Sequence, residues 1–96
     1  MADLVKQFVA ALPARVRELE ELASGQDLSE LRRVIHQLKG AGGGYGYPEV
    51  TRLAAGAEEV IDAGLAIDSV AVQVAALVEL MRRIEGFPTT AMEGRP

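Results

Sequence analysis

The sequence predicts an all-α fold, an antiparallel up-down-up-down four-helix bundle whose N-terminal helix is short or bent. Three observations carry that expectation. Apolar residues recur at spacings of three and four along most of the 96 residues, and no segment alternates as a strand does. Turn-forming residues gather at a few points, namely Pro13, Gly25-Gln26-Asp27, Gly40 to Gly46 and Gly64 to Asp68. The connections are short, which favours antiparallel neighbours between amphipathic helices.

Each element can be justified in turn. Asp3 is placed to cap a first helix whose inward residues are Leu4, Phe8, Leu12, Val16, Leu19 and Leu22. Proline lacks an amide donor and collides with the preceding turn. The expectation is therefore a short helix to Leu12, a bend or break, and a second piece from Pro13 to Ser24, ended by a left-handed Gly25. Asp27 is the predicted cap of the next helix, with Glu30 as its capping-box partner. Leu28, Leu31, Val34, Ile35 and Leu38 form its apolar stripe. Pro48 suits the first turn of a third helix, with Val50, Leu53, Ala54, Ala57 and Ile61 inward. Asp68 is expected to cap a fourth, stapled by Ile67 and Val72, with Val70, Val74, Leu77, Met81 and Ile84 facing the core. Residues 1–86 thus read as one domain, and 87–96 as a flexible tail.

Composition narrows the function. The chain has no cysteine, which removes disulfides, thiolate nucleophiles and the usual zinc cages. One histidine cannot furnish the paired Glu-x-x-His ligands of a carboxylate-bridged metal site, so no metal and no bound cofactor are expected. Fourteen acidic against ten basic residues give a net charge of −4, the wrong balance for nucleic acid. No apolar run reaches membrane-spanning length, and the N-terminus lacks the pattern of a signal peptide. A cytoplasmic monomer is the expectation. The Glu58-Glu59 pair and the Glu18, Glu20, Glu21 group read as solvated helix faces.

His36 stands out by its direction. At about 100° per residue it points roughly 130° away from the centre of the Leu28-Leu31-Ile35-Leu38 arc, toward solvent or a partner. Arg32, Arg33, Lys39 and Gly40 lie one turn away, and Gly43 follows two turns on. Helical side chains lean toward the N-terminus, which brings the imidazole over the Arg32/Arg33 turn. A glycine in a helix interior costs roughly 1 kcal/mol, so Gly40, Gly42, Gly43 and Gly44 call for a reason. Close approach by another molecule is one; close packing of the neighbouring helix is another, and Gly42 projects inward.

The run His36-Gln37-Leu38-Lys39-Gly40-Ala41-Gly42-Gly43-Gly44-Tyr45-Gly46-Tyr47-Pro48 resembles the signature of histidine-containing phosphotransfer (HPt) domains. These domains act in two-component phosphorelays. The core of the signature is His-x-Leu-Lys-Gly, then small residues and an aromatic-Gly pair opening the next helix. The likeness continues into Leu53-Ala54 and Glu58-Glu59. It implies that His36 is the phosphorylated residue, attacking through Nε2, and that Lys39 offsets phosphoryl charge. It implies that Gly40 lets a response-regulator receiver domain press against the helix. Gly43, Arg32, Arg33 and Gln37 complete the docking face expected around it. Tyr45 and Tyr47 stand where the family often has Phe, for packing. The chain departs from the pattern at Gly42-Gly43-Gly44, where Ser, Ala or Asn are common, leaving fewer side-chain donors.

By the same resemblance, the partners are a receiver domain, which brings its aspartate and Mg²⁺, and a hybrid or other histidine kinase. Phosphoryl transfer asks for alignment and charge stabilisation. The chain has no Gly-x-x-x-x-Gly-Lys-[Ser/Thr] loop, and its glycines lie in a helical pattern. It reads as a phosphotransfer intermediate without ATP-dependent kinase activity. The alternative is a docking or dimerisation module that keeps the HPt shape and carries no phosphate.

Overall fold

The computed structural model describes residues 2–25, 27–84 and 86. Four helices follow in order: α1 (Ala2–Ser24), α2 (Leu28–Tyr45), α3 (Pro48–Asp62) and α4 (Ile67–Arg82). No strand occurs among the described residues. α1 packs on α2 and α4, α3 packs on the same two helices, and the diagonal pairs lie further apart. Links of two to four residues force each helix to reverse on the last, which gives the up-down-up-down bundle. The tail expected over 87–96 lies outside the described residues.

The apolar stripes meet at the bundle axis. Leu12 and Leu19 from α1, Leu31, Ile35 and Leu38 from α2, Val50 and Ala54 from α3, and Val70, Leu77 and Met81 from α4 are buried. Leu53, Ile61 and Ile84 are partly buried against them, as are Phe8, Leu22 and Leu28. Val9 and Val78 join the core from outside the expected stripes, whereas Leu4 is exposed.

α1 corrects one expectation: it runs unbroken through Pro13. Proline leaves the Val9 carbonyl without its usual partner, a local cost. Val9, Leu12, Val16 and Leu19 nevertheless form one buried line on both sides of it. Burying that line holds the helix together, since tertiary packing supplies most helical stability.

The caps divide. Asp27 caps α2 as expected, its carboxylate accepting from the Glu30 amide at 3.0 Å. The reciprocal half of the capping box is not made, because the Glu30 carboxylate binds Arg33 instead. Asp3 lies inside the first turn of α1, not at its cap; there it complements the positive end of the dipole. Ala66, without a side-chain cap, precedes α4, so Asp68 is a first-turn residue. Of the expected staple, Val72 is exposed and the Ile67 side chain lies outside the described residues. Gly25 is not left-handed; the left-handed glycines at helix ends are Gly46 after α2 and Gly64 after α3. At Gly46 (φ 88°) the chain turns so that the Tyr47 amide reaches back to the Gly42 carbonyl at 2.7 Å.

That turn presses α3 onto α2 at Gly42, which is buried. A Cβ on Gly42 would lie 2.8 Å from Thr51 Oγ1 and 3.0 Å from both the Thr51 amide nitrogen and the Tyr47 carbonyl oxygen. A Cβ on Gly40 would meet nothing within 4 Å. The two glycines therefore predict opposite outcomes in thermal unfolding. Gly42→Ala should lower stability by about 1–3 kcal/mol through overpacking, moving Tm down by roughly 4–8 °C per kcal/mol. Gly40→Ala should raise stability by about 0.5–1 kcal/mol.

Candidate functional site

The register of α2 that buries Leu31, Val34, Ile35 and Leu38 turns His36 outward, and its side chain is 61% exposed. The edge of the ring that faces the bundle meets α3. Its Nδ1 lies 2.8 Å from Oε2 of Glu58, a residue only 7% exposed. Lys39, one turn further along α2, donates from Nζ to the other oxygen, Oε1, at 2.6 Å. Arg32, one turn earlier, brings Nη2 to 3.4 Å from Oε2. A single buried carboxylate thus gathers three basic side chains of α2.

The charges explain why burial of Glu58 is tolerated. A buried carboxylate needs both paired charge and hydrogen bonds. Hydrogen bonds from Lys39 first and His36 second hold its carboxyl below the ordinary carboxylate range, against the desolvation that would raise it. Glu58 is therefore ionised at neutral pH and can only accept. The proton in the 2.8 Å contact must belong to Nδ1, which assigns the Nδ1–H tautomer to a neutral ring. The free lone pair is then on Nε2, at the opposite edge of the ring.

Arg32 is also gripped from α3. Its Nε and Nη2 donate to the two oxygens of Asp62 at 2.6 and 3.0 Å. The guanidinium holds the Asp62 carboxyl below its ordinary value, chiefly through these hydrogen bonds. A backbone contact locks the same two helices: Thr51 Oγ1 donates to the Lys39 carbonyl at 2.7 Å.

Among the expected site residues, His36, Lys39 and Arg32 come together. Arg33 does not: it pairs with Glu30 on the exposed side, its Nε 3.0 Å from Oε2. Gly40 and Gly43 lie bare on the outer face of α2, and a Cβ on Gly43 would come no nearer than 3.5 Å to Thr51 Oγ1. Gln37 is exposed and lines a groove of about 270 Å³ between α1 and α2. Tyr45 and Tyr47 pack, as expected, stacking on Phe8 with ring centroids 5.1 and 5.5 Å away. No group of three or more His, Cys, Asp or Glu that could hold a metal occurs among the described residues.

Glu58 corrects the sequence reading, which placed it on a solvated face; only Glu59 is exposed. The signal was there. At about 100° per residue Glu58 falls roughly 80° from the centre of the inward arc of α3, at its rim, while Glu59 points away from the core. Asp62, one turn further along that rim, was not singled out either.

The imidazole is thus turned outward, held at its inner nitrogen and flanked by bare helix. The family model of the Hpt domain matches residues 3–87, and the chain belongs to that family. No curated protein and no solved structure matches it significantly. Hpt domains carry phosphoryl groups in two-component phosphorelays, where they meet receiver domains and histidine kinases and are not kinases themselves. No helix among the described residues is long and apolar enough to cross a membrane.

The depressed Glu58 carboxyl has a consequence for stability. A carboxyl lowered on folding stabilises the fold fully above its unfolded value, near 4.5. That contribution is lost as pH falls through the lower folded value. Glu58→Gln should therefore lower the unfolding midpoint at pH 7, and its deficit relative to the wild type should shrink below about pH 4. Thermal unfolding of both proteins across pH 3–7 checks this.

Proposed function

We propose that this chain is a phosphorelay intermediate in which Nε2 of His36 accepts a phosphoryl group and passes it to the aspartate of a receiver domain. One observation carries the reading: the buried Glu58 carboxylate accepts a hydrogen bond from Nδ1–H, so that the exposed edge of the ring bears the lone pair. A nucleophile aimed outward from a rigid helix suits in-line transfer between two proteins, where alignment supplies much of the rate.

The surrounding residues have roles that follow from their contacts. Lys39 holds Glu58 through one proton of its ammonium group, and two more remain for phosphoryl oxygens. A Cβ on Gly40 would meet nothing within 4 Å among the described residues, so its missing side chain serves the approaching partner. Gln37 and Gly43 extend that open face. Arg33, paired to Glu30, contributes at the rim. The acceptor aspartate and its Mg²⁺ belong to the receiver, and the donor is a histidine kinase or a phosphorylated receiver. The chain does not take phosphate from ATP by itself.

Incubation with phosphorylated receiver domains and Mg²⁺ tests the reading. The wild type should gain acid-labile phosphate; His36→Gln should gain none, and ATP alone should label neither. Uptake by His36→Gln equal to that of the wild type refutes the proposal. Glu58→Gln, which leaves the tautomer unfixed, should slow uptake roughly 10- to 100-fold, as when a carboxylate orienting an imidazole is lost elsewhere. Gly40→Ala should slow transfer although it stabilises the helix.

A further inference from the structure

We propose that Asp62 is a positioning residue that tethers Arg32, keeping its guanidinium off the phosphoryl group on His36 and so setting how readily that group leaves. The inference rests on the phosphocarrier reading above. Arg32 precedes His36 by one turn of α2, and the two side chains share an oxygen. Nη2 of Arg32 lies 3.4 Å, and Nδ1 of His36 2.8 Å, from Oε2 of Glu58. A released guanidinium, on its long stem, can reach a group attached to the same ring.

It is not released. Asp62 binds Nε and Nη2 through both carboxylate oxygens, at 2.6 and 3.0 Å, a two-point grip that fixes the plane of the guanidinium. Asp62 is also the last residue of α3, where a carboxylate faces the negative end of the helix dipole and is locally unfavourable. The helix does not account for an acidic side chain at this position. Its hold on Arg32 does.

The reaction gives the tether a purpose. Transfer breaks the P–Nε2 bond and forms a bond from phosphorus to a carboxylate oxygen of the receiver's aspartate. The P–N bonding pair returns to the ring nitrogen. Negative charge thus drains from the phosphoryl oxygens toward the imidazole as the bond opens. A guanidinium held on those oxygens before the receiver engages stabilises the loaded state and stands where the receiver's own cation must come, and transfer slows. Lys39 supplies one cation, enough to favour loading. Arg32 would add a second with a geometry matched to phosphate, and Asp62 withholds it.

The test loads the wild type, Asp62→Ala, Asp62→Asn and the double variant Asp62→Ala/Arg32→Gln with potassium phosphoramidate. The loaded proteins are then discharged onto receiver domains of the source organism with Mg²⁺. Because His36 is the sole histidine, acid-labile phosphate reports it alone. Both single variants should discharge about two- to fivefold more slowly, the factor an exposed ion pair supplies. The double variant should discharge faster than either single variant. The ³¹P resonance should move in the single variants and revert in the double, a response that a purely structural role of Asp62 would not give. Single variants that fold, load and discharge as fast as the wild type overturn the tether alone. A loaded wild type that no receiver discharges overturns the phosphocarrier reading, and the tether with it.

Discussion

The structure of the site depends on one ionised carboxylate held where water scarcely reaches. Glu58 rises from α3 into the seam with α2, 7% exposed, and α2 supplies Lys39, His36 and Arg32 around it. Removing a charge from water is expensive, and only close partners offset the cost. The arrangement therefore fixes more than Glu58 itself. It sets where Lys39 rests, which nitrogen of His36 carries the proton, and how the two helices are docked above the Gly42 contact.

The α2–α3 seam couples packing to chemistry. Gly42 lets the Thr51 backbone come close, and from there the Thr51 hydroxyl reaches the Lys39 carbonyl. The left-handed Gly46 turns the chain so that α3 starts beside the end of α2. Phe8 of α1 stacks on Tyr45 and Tyr47 at that corner. The helix that bears His36 is thus held along its inner face and left bare along its outer one. A rigid support under an exposed side chain is what the proposed transfer needs.

Much of the fold was legible because burial writes a period into the sequence. The stripes of α2, α3 and α4 follow directly from apolar spacing, and Asp27, Pro48 and the outward face of His36 follow from local rules. Pro13 misled because its cost is local, whereas the buried line from Val9 to Leu19 that overrides it is a tertiary matter. Asp3 and Asp68 misled because an acidic residue favours the first turn of a helix almost as much as its cap. At the site, His36, Lys39 and Gly40 could be read from one helix and from the family signature. The rim position of Glu58 was legible on α3, but its pairing was not, since its partners lie 19 and 22 residues away in sequence. Only the docking of two helices joins them.

The tautomer of His36 is the most direct measure of this account. Long-range ¹H–¹⁵N correlation of the single imidazole at a pH where the ring is neutral reports which nitrogen bears the proton. A protonated Nδ1 and a bare Nε2 are expected, with phosphorus–nitrogen coupling appearing at Nε2 once the protein is loaded. A ring protonated at Nε2, or phosphate bound at Nδ1, would contradict it.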